Sequence, residues 1–318
     1  MKAPNKLYMD KECRTSEEEV VATVFDKTGK GRVLDSQEFR IISNSIAANL
    51  IPIVKKAFCR ADYGLFYHLL LGKLKEIFKG RLSARDQVIL RRRIADFEMD
   101  YFEIRYRKTN YAFDLMDYPS FFSFSVFREV VLRNEYSASI ENMKNTTVVD
   151  CGANIGMFAI HAARLGAKKV YAFEPIKEIY SVLKKNIALN GLENVIIPIN
   201  KAVGAELSVV QMNYPSELDG SASIELKRGT MTQMVEVTTI DAFLKGEEIG
   251  FIKMDVEGNE AKALLGAKET IRKYKPILSF SAYHRPEDKE VLPKIVKSIR
   301  PDYEISLNKF AEEDFFCR

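Results

Sequence analysis

The spacing of apolar positions changes along this chain, and the changes predict its elements. From residue 16 to about 97 the apolar residues recur at helical intervals. Ser16-Glu-Glu-Glu19 reads as a capping box opening a short helix over residues 17–25. A second helix carries Phe39, Ile41, Ile42, Ile46, Leu50 and Ile53, with Pro52 as a kink or break. Residues 63–78 and 84–97 complete a helical extension. From Tyr101 the period falls to two. Phe102, Ile104 and Tyr106 alternate with charged residues, a turn follows near Lys108, and Tyr111, Phe113 and Leu115 alternate again, which predicts a β-hairpin. A helix over 126–134 follows.

Beyond Thr146, short apolar runs alternate with helical stretches. Strands are expected at 147–149, 169–173, 195–199, 250–254, 276–280 and 303–307. Helices are expected at 157–163, 176–189, 241–244, 259–273 and 287–299, and two more strands at 207–212 and 234–239. This alternation predicts an α/β fold, a doubly wound and mostly parallel sheet. The organisation expected is an α-helical extension over residues 1–95 and an α/β domain over 96–318. In such sheets ligands sit beyond the carboxyl ends of the strands. The strand ends here are Asp150, Glu174, Asn200, Asp255 and His284, and they should share one crevice.

The first of these ends carries a glycine loop, Asp150-Cys-Gly152-Ala153-Asn154-Ile-Gly156. A dinucleotide fingerprint needs glycines at G-x-G-x-x-G. Asn154 and Met157 stand in the second and third slots, so the match fails and argues against an NAD-dependent oxidoreductase. About 20 residues on, Glu174-Pro175 ends the next strand. A carboxylate there can accept hydrogen bonds from both ribose hydroxyls of an adenosine ligand. Pro175 suits the start of the following helix. Taken alone, Glu174 reads equally well as a solvated charge at a strand end.

The loop resembles motif I of class I S-adenosylmethionine-dependent methyltransferases, and its Ala153-Asn154 centre resembles the FkbM family. Lys253-x-Asp255-x-Glu257-Gly258 is similar to the Lys-x-Asp-x-Glu-Gly signature of that family, and residues 101–140, with Glu135-Tyr136, resemble the segment before its motif I. The resemblance covers the last two-thirds of the chain. It implies a seven-stranded, Rossmann-like methyltransferase sheet, S-adenosyl-L-methionine as cofactor, and a hydroxyl of a sugar, polyketide or related small metabolite as acceptor. It also implies that Asp150, Gly152, Ala153, Asn154, Gly156, Glu174, Pro175, Asn200 and Ala202 line the cofactor site, with Gly152 letting the loop approach the cofactor's amino-acid tail and Ala202 beside the adenine.

His284, at the mouth of the expected crevice, is the first candidate for a general base, since imidazole has a suitable pKa. The plainer reading is a loop histidine with a structural partner. His68 and His161 carry no such placement. Asp255 and Glu257 are expected to face the acceptor. Two hard ligands are few for a divalent cation, so no metal is expected. A structural alternative has Asp255 capping the next helix and Glu257 favouring its positive end. Ser221, in the polar loop 219–223, is a candidate at the substrate edge; an ordinary hairpin connection is the competing reading.

Composition changes this picture little. Forty-eight basic and 44 acidic side chains leave a net charge of +4, too mild to suggest a nucleic-acid partner. Cys13, Cys59, Cys151 and Cys317 form no C-x-x-C pair, which favours a reducing cytoplasm. No signal-peptide core and no apolar run of about 18 residues is found, so no membrane span is expected. Residues 63–81 mix leucines with Lys73, Lys75, Lys79 and Arg81; a membrane-surface helix and a packed helix with a basic outer face are the two readings. Self-association is left open, as is a non-catalytic protein that keeps the cofactor pocket.

Overall fold

A computed structural model describes residues 20–26, 31–34, 99–106, 109–114, 126–132, 134–214, 231–309 and 313–318. The chain divides into two compact units, Met1–Ser125 and Val126–Arg318. In the first, β1 (Val20–Asp26), β2 (Gly31–Leu34), β3 (Met99–Tyr106) and β4 (Thr109–Asp114) form an antiparallel sheet in the order β2-β1-β3-β4. The β3–β4 hairpin follows the alternation read from the sequence. The helix expected over 17–25 is instead β1. Val20, Val21, Thr23 and Val24 are β-branched, lose side-chain freedom in a helix and suit a strand, and this outweighs the capping box. Because β1 pairs with β3, from Ala22 opposite Ile104 to Val24 opposite Phe102, the hairpin joins the N-terminal unit rather than starting the second. The helices expected at 35–53, 63–78 and 84–97 lie outside the described residues.

The second unit begins with a turn of π-helix, Arg128–Leu132, where an ordinary helix is expected. It continues through α1 (Ile140–Met143), β5 (Thr147–Cys151), α2 (Met157–Arg164), β6 (Lys169–Phe173), α3 (Lys177–Leu189) and β7 (Ile196–Ile199). A small sheet follows from β8 (Ala202–Val203), β9 (Ser208–Tyr214) and β10 (Met231–Thr238). Then come α4 (Ile240–Leu244), β11 (Phe251–Met254), α5 (Glu260–Leu265), α6 (Lys268–Tyr274), β12 (Ile277–Ser281), α7 (Asp288–Ile299), β13 (Ile305–Lys309) and β14 (Glu313–Cys317).

Among the described residues the main sheet has seven strands, in the order β13-β14-β12-β11-β5-β6-β7. From β12 to β7 all neighbours run parallel. β5 and β11 are buried at every position, which is why they read as continuous apolar runs. Pro198 lies in β7, at the sheet edge, where a strand tolerates a missing N–H. The core joins Phe173 and Ile199 to Phe280, Leu292, Val296 and Phe315. β14, not foreseen, inserts antiparallel between β12 and β13. No helix among the described residues is long and apolar enough to cross a membrane.

The single helix expected over 259–273 is two helices. Gly266, at the break, sits so close to the β8 loop that a Cβ there would stand 1.9 Å from the Gly204 carbonyl oxygen. The carboxylate of Asp241 then accepts from the backbone N–H groups of Glu269 and Thr270, at 2.9 and 2.8 Å, and so caps α6 from outside. At the end of α3, Gly191 adopts φ +63, with Leu192 N–H donating to the Ile187 carbonyl and Gly191 N–H to that of Ala188. This is the helix stop expected at Asn190-Gly191.

Candidate active site

The tips of β5, β6, β11 and β12 meet. β5 and β6 are tied first: the N–H groups of Gly152 and Ala153 both donate to the Phe173 carbonyl, at 3.0 and 2.8 Å. Gly152 has φ +77, and a Cβ on it would lie 1.9 Å from the carbonyl oxygen of Asp255. The backbone at the β11 tip therefore by itself requires glycine here, a reason the sequence did not show. Gly156, with φ +94 at the start of α2, faces the end of the Leu183 side chain of α3, 2.6 Å from where a Cβ would stand.

Glu174 leaves β6 buried. Its Oε2 accepts from the Asn154 N–H at 3.0 Å and its Oε1 from the Ile176 N–H at 2.9 Å. Asn154 reaches that position with φ +52, and its Oδ1 accepts from the Ile155 N–H. Burial pushes the Glu174 carboxyl up to about 7, against the pull of the two backbone donors. Asn200 Nδ2 donates to the carbonyls of Glu174 and Pro175, both at 2.9 Å, so the tip of β7 is tied to the tip of β6. Ala202 is buried and starts β8, in register with Val237 of β10.

Asp150 is fully buried and forms an ion pair with Lys253 at 3.2 Å. Burial raises its pKa, and the lysine opposes that shift. Lys253 Nζ also donates to the Gly152 carbonyl at 2.9 Å and lies 5.1 Å from the centre of the Tyr136 ring. Burial disfavours its charge, but Asp150 and Asp255 hold its pKa above the ordinary value. The lysine thus fixes the glycine loop and neutralises Asp150, a role that sequence reasoning did not assign. The signal was available: a charged residue within Phe-Ile-Lys-Met, a buried strand, must have a partner.

Asp255 follows β11. Its Oδ2 accepts from the Tyr136 hydroxyl at 2.9 Å. Burial raises its pKa, but Lys253, His284 and that hydroxyl outweigh this and keep it low. The helix that follows starts at Glu260 with Asn259 as its cap, so Asp255 does not cap it. His284, just past β12, has a side chain only 2% exposed. Its Nε2 lies 3.6 Å from Asp255 Oδ1 and 3.5 Å from Glu257 Oε2, and its Nδ1 lies 3.0 Å from Glu260 Oε1. Burial works against a proton on this ring, yet Glu260, Asp255 and Glu257 together raise its pKa to about 9. An imidazole held this way is protonated at neutral pH, which does not suit the free general base expected from the sequence. Glu260 and Tyr136 were not foreseen as members of the cluster. Glu260 begins a helix, and Tyr136 stands 119 residues from its partner in the chain. Ser221 lies outside the described residues.

The fold and these strand tips define a Rossmann-like protein of the methyltransferase type, with an acidic residue, a glycine loop and a second carboxylate at adjoining strand ends. The family model described as "Methyltransferase FkbM domain" matches residues 150–312, slightly over half of the chain. The chain belongs to the FkbM methyltransferase family. It is 26% identical over 179 residues to the methyltransferase sdnD of Sordaria araneosa, covering 45% of this chain and 68% of that protein. It is 49% identical over 74 residues to the tRNA (guanine(37)-N(1))-methyltransferase Trm5b of Methanocaldococcus jannaschii, covering 22% of this chain and 21% of that one. A solved FkbM methyltransferase from Methylobacillus flagellatus is 24% identical, with a TM-score of 0.44, over 63% of this chain and 54% of its own. The chain thus spans about half the length of that solved relative.

Proposed function

We propose that the chain transfers a methyl group from S-adenosyl-L-methionine to a hydroxyl of a small molecule. The observation that carries the cofactor half is Glu174. Each of its oxygens holds one backbone donor and keeps a further acceptor site, while burial makes the carboxylate short of hydrogen-bond partners. Two ribose hydroxyls would supply those partners. The Asp150–Lys253 pair lies one strand away, and Asn154 and Asn200 fix the loops on either side. When bound, the cofactor supplies the electrophilic methyl group. The protein supplies alignment and charge.

On the acceptor side, Asp255 is the group suited to accept a hydroxyl's hydrogen bond, because it stays ionised beside Lys253 and His284. His284 then acts as a fixed positive charge that orients Asp255 and Glu257. The test is calorimetric titration with S-adenosylhomocysteine. Wild type should bind one equivalent and Glu174→Ala should not, with the fold kept. Absence of heat from wild type would remove this reading and favour a different nucleotide, which an NADH titration would identify. Labelled cofactor mixed with cell extract then separates acceptors: label in the small-molecule fraction supports the hydroxyl reading. Label in RNA would move the chain towards the chemistry in the archaeal relative's name, and no transfer at all would favour a non-catalytic binding protein.

A further inference from the structure

We infer that Asp255, Glu257 and His284 form a binding site for one divalent metal ion, best suited to Zn²⁺. The sequence offers two carboxylates here; the fold adds a nitrogen. One carboxylate oxygen each from Asp255 and Glu257 and one ring nitrogen of His284 all lie within 4.8 Å of one another. Nε2 is 3.6 Å from the first oxygen and 3.5 Å from the second. An ion bonded at about 2.1 Å in a tetrahedron places its ligand atoms about 3.4 Å apart, whereas octahedral neighbours at that bond length stand about 3.0 Å apart. The two nitrogen–oxygen separations, 3.6 and 3.5 Å, lie nearer the tetrahedral value.

The histidine supplies an independent pointer. Nε2 is buried and has no hydrogen-bond partner among the described residues, although its own side chain is only 2% exposed. It faces the two carboxylates, while Nδ1 faces Glu260 Oε1 at 3.0 Å. A metal ion would displace the Nε2 proton that makes the metal-free ring a cation, while the Glu260 carboxylate holds the proton on Nδ1, the arrangement that orients metal-ligating histidines. Glu260 is itself held, since its Oε1 accepts from the Val256 N–H at 2.9 Å. Glu257 is turned into the cluster by φ +53, an uncommon conformation for glutamate. Nitrogen with two carboxylate oxygens is a ligand set that zinc accepts, and three protein ligands leave a fourth position for an outside oxygen. Metal binding itself does not depend on the methyl-transfer reading. Only the further step, in which that outside oxygen is the acceptor hydroxyl, rests on it.

The test uses the full chain after dialysis against a chelator, titrated with ZnCl₂ in competition with a chromophoric chelator and without any cofactor. Wild type should bind one equivalent. His284→Ala and Glu257→Gln should each weaken binding at least tenfold, and Glu260→Gln by about 10- to 100-fold through loss of orientation. A Cys13→Ser/Cys59→Ser variant should bind as wild type, which separates this site from thiols. Cobalt substitution should give the intense visible bands of four-coordination, absent in Glu257→Gln. Thermal melting checks that each variant folds. No uptake by wild type, equal affinity in the folded Glu257→Gln, or tighter binding of Mg²⁺ than Zn²⁺ would overturn the proposal. Because S-adenosylhomocysteine binding is measured separately and without metal, either idea can fail alone.

Discussion

The backbone N–H of Asn154 donates to Oε2 of Glu174 at 3.0 Å, and this bond joins the glycine loop after β5 to the tip of β6. It makes the geometry of the loop depend on a carboxylate whose pKa stands at about 7. A ribose hydroxyl donates to the ionised form better than to the acid, so binding should lower that pKa and release a proton below neutrality. Affinity for S-adenosylhomocysteine is therefore expected to rise as pH increases through about 7 and to level off above it. Calorimetry in buffers of different ionisation enthalpy would detect the released proton. The stability of the free protein should move the opposite way. The folded pKa lies above the ordinary carboxylate value of 4.5, so the folded state binds more protons between the two values and stability from this group falls as pH rises across that window. A pH-independent affinity would acquit Glu174 of contact with the ligand.

Lys253 and Asp150 give the second prediction. The pair is buried, and removing one partner leaves an uncompensated charge. Lys253→Met is expected to cost about 3–5 kcal/mol in a denaturant titration, whereas Lys253→Met/Asp150→Asn should recover a large part of that loss. Equal destabilisation by the single and double variants would mean that the lysine acts through its contact with the Gly152 carbonyl instead.

How much of this was legible in the sequence depends on how local each determinant is. β5 and β11 are buried on both faces, so their apolar runs announced them, and with them the strand ends that carry Asp150 and Asp255. β1 misled because Glu17, Glu18 and Glu19 imitate a helix start, while the pairing with β3 that decides the outcome comes from far along the chain. β14 has the same character: its place between β12 and β13 is set by neighbours that no local pattern specifies. The glycines were visible but their reasons were not, since the carbonyl that crowds Gly152 belongs to Asp255, about a hundred residues away. For the same reason the surroundings of His284 changed its expected chemistry. A lone histidine in sequence suggests a base, and three carboxylates around it in space make it a cation.

Tyr136 provides a third prediction. Its hydroxyl donates to Asp255 Oδ2 while its ring packs edge-on against Phe158 with centroids 5.5 Å apart. Tyr136→Phe keeps the ring contact and removes only the donor. Loss of a hydrogen bond to a charged acceptor is expected to cost about 1.5–3 kcal/mol. Because that bond helps keep Asp255 ionised, its pKa should rise, which carbon-detected NMR of the side-chain carboxyls would follow. An unchanged Asp255 titration would show that Lys253 and His284 suffice.

The glycines give the last prediction, and it separates conformational strain from crowding. Gly152 and Gly191 both have positive φ, +77 and +63. A Cβ at Gly191 meets nothing within 4 Å, whereas one at Gly152 would stand 1.9 Å from the Asp255 carbonyl oxygen. Gly191→Ala should therefore cost only the left-handed backbone penalty, about 1 kcal/mol, and Gly191→Asn less, because asparagine tolerates that region. Gly152→Ala adds a collision between two main-chain segments that no rotamer can relieve. Its cost should exceed that of Gly191→Ala by about 1–3 kcal/mol, the usual range for overpacking, and it should push the β11 tip away from the glycine loop. Urea unfolding compares the stabilities. Amide exchange at Asp255, whose N–H donates to the Cys151 carbonyl at 3.0 Å, reports the displacement. If the two alanine variants proved equally stable, the close approach of the β5 and β11 tips would be wrong, and with it the convergence of Asp150, Lys253 and Asp255 on one site.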